Sequence, residues 1–162
     1  MTIRKATPED LPEILDIYRR ARRFMAQNGN PTQWKDGYPQ PDLLEADIQK
    51  QQLYVILRDD HICGVFMFAR GEDPTYAHIE DGAWLSDEPY GTIHRIAGNG
   101  TGGIFRAAVD YCRGICSHLR LDTHRDNKPM QHLAEKYGFR RCGIIYTHDG
   151  SPRIGYELLP NP

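Results

Sequence analysis

Residues 90–105 constrain the fold of this chain most strongly, because they predict a strand that runs through a glycine-rich loop into a helix. The strand covers residues 91–97, four glycines occupy positions 98–103, and the helix starts at Ile104. Backbone N–H groups at a helix N-terminus lack partners, and the helix dipole favours an anion there. Glycines let that backbone approach a ligand closely. The segment therefore predicts a site that holds a phosphorylated ligand at the end of a strand.

The rest of the chain predicts alternating strands and helices around this segment. Thr7 and Pro8 are typical of a helix start, and this first helix ends before Asn28. Further helices are expected at 42–51, after the glycine loop, and beyond an Asn127 cap that ends near Gly138. The predicted strands are 2–6, 53–58, 62–69, 76–80, 91–97, 119–123, 141–147 and 153–158. We expect one α/β domain over residues 1–162, with a mixed, mostly antiparallel central sheet and flanking helices.

Composition limits the classes of function. Hydrophobic residues make up 40% of the chain and charged residues 26%, with a formal net charge of −2. This balance gives no electrostatic attraction to nucleic acid or to a membrane surface, and we expect neither as a partner. The four cysteines lack a CxxC spacing and are typical of reduced thiols in a cytoplasmic protein. Cys112, Cys116 and His118 lack a further ligand pair, so no metal site is predicted.

Several motifs, taken together and in order, resemble the GNAT superfamily of N-acetyltransferases over nearly the whole chain. They are the opening at residues 3–11, the strand, glycine loop and helix unit, the segment 121–127 with Met130, and the ending at 133–139. The superfamily signature places Gln or Arg before Gly-x-Gly/Ala, and Arg95 to Gly100 satisfies it literally. Counted back from the helix, the matching glycine is Gly103, and Gly100 stands at the basic position. The loop is short and carries no cation.

The resemblance implies acetyl-CoA as co-substrate, held in a splayed cleft between strands 91–97 and 119–123. The pantetheine arm would pair with the backbone of Ile96 and Gly98, and an N–H near Ala97 or Gly98 would bind the oxyanion. Amides from Asn99 to Phe105 would hold the pyrophosphate, and Asn127 would contact the pantetheine arm. The implied cofactor-binding residues are Ile96, Ala97, Gly98, Asn99, Gly100, Thr101, Gly102, Gly103, Ile104, Phe105 and Asn127.

Acyl transfer to an amine needs a base, an oxyanion donor and an acid for the leaving thiolate. The candidate catalytic bases are Glu80, on a predicted central strand, and His94, beside the thioester. On a strand His94 and Ile96 share one face, whereas Arg95 and Ala97 share the other. His94 fits a packed core histidine equally well, and Glu80 fits a solvated strand end.

The acid is less defined, because the superfamily often places a tyrosine where this chain has Ala134. Tyr137, His124 and Asp122 are the candidates that we identify, although Tyr137 also suits core packing. Four aromatic residues are expected either to wall the acceptor site or to anchor the core: Trp34, Tyr38, Trp84 and Tyr90.

The sequence thus predicts a cytoplasmic N-acetyltransferase that acts on a primary amine of a small molecule or peptide. The alternative is a non-catalytic acyl-CoA-binding or sensing domain. A nucleotide-binding module of another fold is disfavoured, because no Gly-Lys-Ser or Gly-Lys-Thr follows the glycines. Members of the resembled superfamily often form dimers, so a homodimer is expected.

Overall fold

Seven strands and four α-helices form the computed structural model, which describes residues 1–161. The strands are β1 (Thr2–Lys5), β2 (Leu53–Arg58), β3 (His61–Arg70), β4 (Gly91–Gly98), β5 (Leu119–Thr123), β6 (Arg140–Tyr146) and β7 (Pro152–Leu158). The helices are α1 (Leu11–Gln27), α2 (Pro41–Gln49), α3 (Ile104–Ile115) and α4 (Lys128–Lys136).

The strands form one mixed sheet in the order β1-β2-β3-β4-β5-β7-β6. The pairs β1–β2, β2–β3, β5–β7 and β6–β7 are antiparallel, whereas β4 and β5 pair in parallel. These pairings confirm the predicted mixed, mostly antiparallel sheet with flanking helices. By backbone contacts the chain divides into two compact units: residues 1–68 with 94–111, and residues 69–93 with those from 112 on.

In the first unit, the start of α1 is fixed by a reciprocal cap. The Asp10 carboxylate accepts the Thr7 N–H at 2.8 Å and also binds the guanidinium of Arg4 at 2.7 Å. A 3-10 turn over Pro8–Asp10 results, and α1 continues from it. This arrangement is a capping box, and it lies at the helix start that Thr7 and Pro8 predict in the sequence.

Both faces of the sheet in the first unit carry packed side chains. One face packs against α1 and α2, with a buried core of Ala6, Ile14, Ile17, Tyr18, Leu44, Ile48, Leu53, Val55, Val65 and Ala97. On the other face the rings of Tyr54 and Phe66 stack with centroids 5.3 Å apart, and Tyr111 of α3 packs 5.4 Å from Tyr54. Because successive side chains of β2 point to opposite faces of the sheet, this strand contributes to the packing on both faces.

In the second unit, β5 and β7 pair over their whole common length, with Leu119 opposite Leu158 and Asp122 opposite Gly155. The Asn127 side chain caps α4 by accepting the Met130 N–H at 3.2 Å. Gly138 has a φ of +93°, the left-handed conformation expected after a helix end. The core of this unit includes Tyr76, Tyr90 and Ile145, with Ile79 and Trp84 packed against them.

The prediction of a strand at residues 76–80 is wrong. Pro74–Tyr76 forms a 3-10 turn, started by the Asp73 carboxylate, which accepts the Thr75 N–H at 2.9 Å. Glu80 makes only an isolated bridge with Ile144. The chain turns immediately afterwards, because Asp81 and Gly82 both have positive φ values, of 56° and 156°. Glu80 therefore does not lie on a central strand.

All four cysteines are free thiols, and three of them are buried. Within residues 1–161, no group of three or more His, Cys, Asp or Glu side chains is arranged to hold a metal ion. None of the helices in that range is both long enough and apolar enough to cross a membrane.

Candidate functional site

The loop between β4 and α3 presents unpaired backbone donors. Among the described residues, none accepts a hydrogen bond from the amides of Gly100, Gly102, Gly103 or Ile104. Space is open around Gly100 and Gly102, since a Cβ at either would meet no atom within 4 Å. Four N–H groups without an acceptor thus lie within residues 100–104, where a helix of 12 residues begins. This is the chemistry that binds an anion such as a pyrophosphate.

Two amides of the predicted donor run are engaged inside the protein. The Asn99 N–H donates to the carbonyl of Cys63 at 3.0 Å, and the Thr101 N–H donates to Asn99 Oδ1 at 3.0 Å. The Thr101 hydroxyl also donates to Asn99 Oδ1, at 2.7 Å. Asn99 and Thr101 therefore shape the loop, and the donors that remain lie closer to α3.

Glycines at two strand positions let α3 start directly on the sheet. A Cβ at Gly64 would lie 2.9 Å from Ile104 Cγ2, and one at Gly98 would lie 3.0 Å from Ile104 Cγ1. Ile104 and Phe105 are both buried. Gly98, Ile104 and Phe105 thus hold the first turn of α3 in place, which fixes the direction of the unpaired amides.

Arg95 lies within β4 and contacts the helices α1 and α2. Its φ is +53°, and its carbonyl accepts the Tyr18 hydroxyl at 2.6 Å. Its guanidinium donates to Asp47 at 2.6 Å and to the Tyr38 hydroxyl at 3.2 Å, with a side-chain exposure of 11%. Burial works against the charge, but Tyr38 and Asp47 outweigh it and keep the pKa of Arg95 above its usual value. Arg95 therefore supplies no cation to the loop.

Asp47 is a residue that sequence reasoning missed. It lies in α2 between Leu44 and Ile48, and all three are buried. An acid on the apolar face of a helix is the signal that indicates a buried cation, since an isolated buried carboxylate is unfavourable. Ala97 packs in the core beside α1 and α2, and Arg95 contacts Asp47 of α2. Arg95 and Ala97 therefore lie on the same face of β4, as the sequence predicts.

The two predicted bases have different surroundings. His94 lies in β4 and is half-buried. Glu80 is exposed and accepts from Tyr146 at 2.8 Å, with His78 Nε2 at 3.1 Å from its other oxygen. The hydrogen bonds from His78 and Tyr146 hold the pKa of Glu80 below its usual value. The exposed Glu80 is thus a weaker base than a carboxylate buried on a central strand would be.

A buried cluster of charges, also missed from the sequence, lies in the second unit. Glu157 is fully buried, and its Oε2 accepts from Arg120 Nε at 2.8 Å and contacts His118 Nε2 at 2.7 Å. Its Oε1 accepts the Leu85 N–H at 2.6 Å. The carbonyl of Pro89 lies 3.1 Å from His118 Nδ1 and can only accept, so Nδ1 is the donor of that hydrogen bond.

The predicted aromatic residues pack in both units. The rings of Trp34 and Tyr18 make an edge contact at 5.5 Å, and Tyr38 lies 6.4 Å from Trp34. In the second unit, Trp84 and Tyr90 enclose the Arg120 guanidinium, with ring centroids 4.1 and 4.0 Å from its carbon. Trp84 and Tyr90 thus anchor the segment that contains them.

The acid candidates of the second unit are placed differently from one another. Asp122 Oδ2 accepts the hydroxyl of the buried Tyr76 at 2.6 Å, and Asp122 itself is half-buried. His124 is buried, its Nδ1 accepts the Asp126 N–H at 3.0 Å, and its pKa is lowered by burial and by Arg153. Asp122 is thus partly accessible to solvent, whereas His124 is buried.

Comparison with known proteins identifies relatives across the whole chain. Residues 1–140 match the family model of the acetyltransferase (GNAT) domain. No curated protein sequence matches the chain. An acetyltransferase of the GNAT family from Streptococcus agalactiae is similar, with a TM-score of 0.85, 30% identity, and coverage of 99% of this chain and 96% of that chain.

Two further solved structures share the fold. The putative acetyltransferase from Staphylococcus aureus Mu50 has a TM-score of 0.69 and 25% identity, and the match covers 98% of this chain and 99% of that one. The ribosomal-protein-alanine N-acetyltransferase from Brucella melitensis has a TM-score of 0.65 at 16% identity, with coverage of 98% and 99%.

Proposed function

Because the chain belongs to the GNAT family of acetyltransferases, we propose that it transfers the acetyl group of acetyl-CoA directly to a primary amine of a small molecule or peptide. The observation that carries this proposal is the set of unpaired amides at Gly100, Gly102, Gly103 and Ile104. An anionic ligand at these donors matches the pyrophosphate of acetyl-CoA.

The chain's own residues would hold the co-substrate mostly through backbone atoms. The amides before α3 bind the pyrophosphate, and the backbone of Ile96 and Gly98 pairs with the pantetheine arm. Ala97 or Gly98 supplies the oxyanion donor. Asn127 is the one proposed contact outside this run, and its Oδ1 caps α4.

Bound acetyl-CoA supplies a thioester that an amine can attack. The amine nitrogen forms the new N–C bond as the C–S bond breaks, and the proton lost from nitrogen balances the one gained by the released thiol. His94 is the base that we propose for this proton. Glu80 is the alternative base, and its hydrogen bonds to His78 and Tyr146 make it the weaker one.

One observation favours a second candidate function, a non-catalytic acyl-CoA-binding or sensing domain. Arg95, the basic residue of the superfamily signature, donates its hydrogen bonds to Asp47 and Tyr38 inside the protein. The glycine loop itself carries no cation to offset the phosphate charges. Such a domain would bind acetyl-CoA and show no turnover with any amine.

Calorimetric titration of acetyl-CoA tests the co-substrate site. Gly102 has an ordinary φ and open space around it, so Gly102→Glu adds a carboxylate beside the amides without backbone strain. We expect a loss of affinity of about 100-fold or more, because two negative groups then meet at short range. Gly114→Glu is the matched control, because it adds the same charge in open space at the other end of α3. Equal affinity of both variants would contradict the proposed site.

Steady-state kinetics with an amine panel then separates catalysis from binding. His94→Gln is expected to lower kcat by about 10²- to 10³-fold while the Kd of acetyl-CoA stays unchanged, since a base acts only in the chemical step. Glu80→Gln is measured in parallel, and the larger loss of kcat identifies the base. Acetyl-CoA binding without turnover of any amine by the unmodified protein would support the sensing domain instead.

A further inference from the structure

We propose that Asn99, in the glycine-rich loop, is a modification site at which the side-chain amide is lost spontaneously to give aspartate or isoaspartate. The residue that follows it is Gly100, which has no side chain to obstruct the reaction. The modification itself does not depend on the transferase function proposed above, whereas its consequence for acetyl-CoA rests on that function. All residues involved lie in the first unit.

The reaction joins two groups that are neighbours in the chain. The Gly100 nitrogen loses its proton to a base in solution and attacks Asn99 Cγ, which closes a five-membered succinimide ring. The bond from Cγ to Nδ2 breaks, and Nδ2 takes up a proton and leaves as ammonia. Water then opens the ring at Cγ to give aspartate, or at the main-chain carbonyl carbon to give isoaspartate. The balance is one water consumed and one ammonia released, without oxidation or reduction.

The attacking nitrogen of Gly100 is accessible. Among the described residues, none accepts a hydrogen bond from its N–H. Gly100 is exposed, and a Cβ there would meet no atom within 4 Å, so base and water can reach the nitrogen. The main chain just before it is anchored, because the Asn99 N–H donates to the Cys63 carbonyl at 3.0 Å. An unprotected nucleophile therefore follows a fixed Asn99 backbone.

Thr101 activates the side-chain carbonyl of Asn99 for this attack. The Thr101 N–H donates to Asn99 Oδ1 at 3.0 Å, and the Thr101 hydroxyl donates to the same oxygen at 2.7 Å. Attack on Cγ moves negative charge onto Oδ1, and donors aimed at a developing oxyanion lower the barrier. The two hydrogen bonds that shape the loop thus also favour the loss of the Asn99 amide.

A second Asn-Gly pair, Asn28 and Gly29, provides a comparison within the same unit. Both residues are exposed, and a Cβ at Gly29 would also meet no atom within 4 Å. The Asn28 side chain, however, turns back onto α1, where its Nδ2 donates to the Phe24 carbonyl at 2.7 Å. None of the described residues donates to Asn28 Oδ1. Asn28 therefore has a retained leaving group and an unactivated carbonyl, and should react more slowly than Asn99.

The modification changes the loop that we propose for the pyrophosphate of acetyl-CoA. Either product places a negative charge beside the unpaired amides of Gly100 and Gly102. Isoaspartate also lengthens the main chain by one methylene group immediately before these amides. A carboxylate repels the phosphates, and a longer main chain displaces the donors. The modified protein should therefore bind acetyl-CoA more weakly, and irreversibly so.

Peptide mapping by mass spectrometry, after incubation of the full chain at mildly alkaline pH, tests the modification. We expect Asn99 to lose its amide about tenfold or more faster than Asn28, since donors to an oxyanion contribute at least this much. Thr101→Val retains the N–H and removes the hydroxyl, and it should slow the reaction at Asn99 about 3- to 10-fold. Its effect on Asn28 should be negligible.

Three results would overturn the modification site. They are an Asn99 that stays intact, a reaction at Asn28 as fast as that at Asn99, and a Thr101→Val variant in which Asn99 reacts as fast as before or faster. Circular dichroism verifies that Thr101→Val is folded. In Asn99→Gln, which retains the amide but would need a larger ring, the reaction at this position should disappear.

Calorimetric titration of acetyl-CoA tests the functional consequence. Asn99→Asp reproduces the aspartate product and should weaken binding about tenfold, because its carboxylate lies beside the phosphates. Asn28→Asp adds the same charge after α1 and is the matched control, with an affinity expected within about twofold of the unmodified protein. Equal affinity of Asn99→Asp and Asn28→Asp would overturn the proposed loss of binding. If the unmodified protein does not bind acetyl-CoA, the transferase function fails, and the mass spectra still decide whether Asn99 is modified.

Discussion

At the scale of single residues, two buried acids organise the molecule. Asp47 holds Arg95 in the first unit, and Glu157 holds Arg120 and contacts His118 in the second. Each carboxylate is almost completely inaccessible to solvent. Because a buried ion without partners is costly, removal of either acid leaves uncompensated positive charge in the interior.

We predict that Glu157→Gln destabilises the fold by about 3–5 kcal/mol. A glutamine amide cannot accept hydrogen bonds at both of its ends, so its NH2 group meets either the Leu85 N–H or the cations. Urea denaturation measures the loss. Glu135→Gln, at an exposed carboxylate that accepts weakly from Tyr156 at 3.4 Å, should change the free energy of unfolding by less than about 0.5 kcal/mol. Equal effects of both variants would contradict the role of Glu157.

These residues also show the limit of sequence reasoning. The loop glycines and the Asn127 cap are recognisable because their chemistry is local, and the structure places both at the predicted positions. Asp47 and Glu157 find partners 48 and 37 residues away, Arg95 and Arg120 respectively. No local pattern identifies which distant cation an acid will meet, so the ion pairs could not be predicted.

At the scale of elements, strands with clear alternation and turns at both ends were predictable. The bounds of β2 and β5 agree with the expected 53–58 and 119–123. The irregular structure of residues 76–80 was not predictable. Their apolar residues, Tyr76 and Ile79, pack in the core of the second unit without being part of a strand. The positive φ of the non-glycine residue Asp81 is likewise invisible in the sequence.

The contact between α3 and the sheet gives a prediction at this scale. Gly64→Ala would force a Cβ to within 2.9 Å of Ile104 and displace the first turn of α3. We expect a destabilisation of about 1–3 kcal/mol and weaker acetyl-CoA binding, because the loop amides move with that turn. Thermal denaturation and calorimetry measure the two effects.

A double mutant gives the control for this prediction. Ile104→Ala removes the side-chain atoms that the new methyl group meets, so the cost of Gly64→Ala should be smaller in the Ile104→Ala background. Gly114→Ala, in open space on the same helix, should be neutral or slightly stabilising. Additive losses in the double mutant would show that Ile104 is not the obstacle.

At the scale of the whole molecule, many weak acids are buried in neutral form. Burial raises the pKa of Cys142 from 9.0 to about 11 and that of Tyr156 to about 12. It also raises the pKa values of Cys112, Tyr18 and Tyr76. The unfolded chain therefore releases these protons at lower pH than the folded chain does.

Stability should consequently fall at alkaline pH. A group with a raised folded-state pKa stabilises fully below its unfolded pKa, and this contribution is lost as pH rises through the folded value. We expect the free energy of unfolding to decline from about pH 9 for the thiols and from about pH 10 for the phenols. Urea denaturation between about pH 8 and about pH 11 measures the decline. Cys142→Ser should make the first part of this decline less steep, and a free energy of unfolding that does not change with pH would contradict the prediction.

The same curves bear on domain organisation. β3, β4 and α3 each begin in one compact unit and end in the other. The single domain predicted for residues 1–162 implies one cooperative unfolding transition. Two separated transitions would indicate that the units unfold independently.

The isolated bridge between Glu80 and Ile144 has a consequence for association with other chains. β6 is the last strand of the sheet, and its outer edge is where a foreign strand would otherwise add. Glu80 exchanges both backbone hydrogen bonds with Ile144, at 2.9 and 2.8 Å. At Gly82 the backbone passes so close to Cys142 that no Cβ fits. The chain thus covers its own terminal strand at this point. A homodimer that pairs β6 strands here is therefore blocked, and a homodimer has to form through another surface.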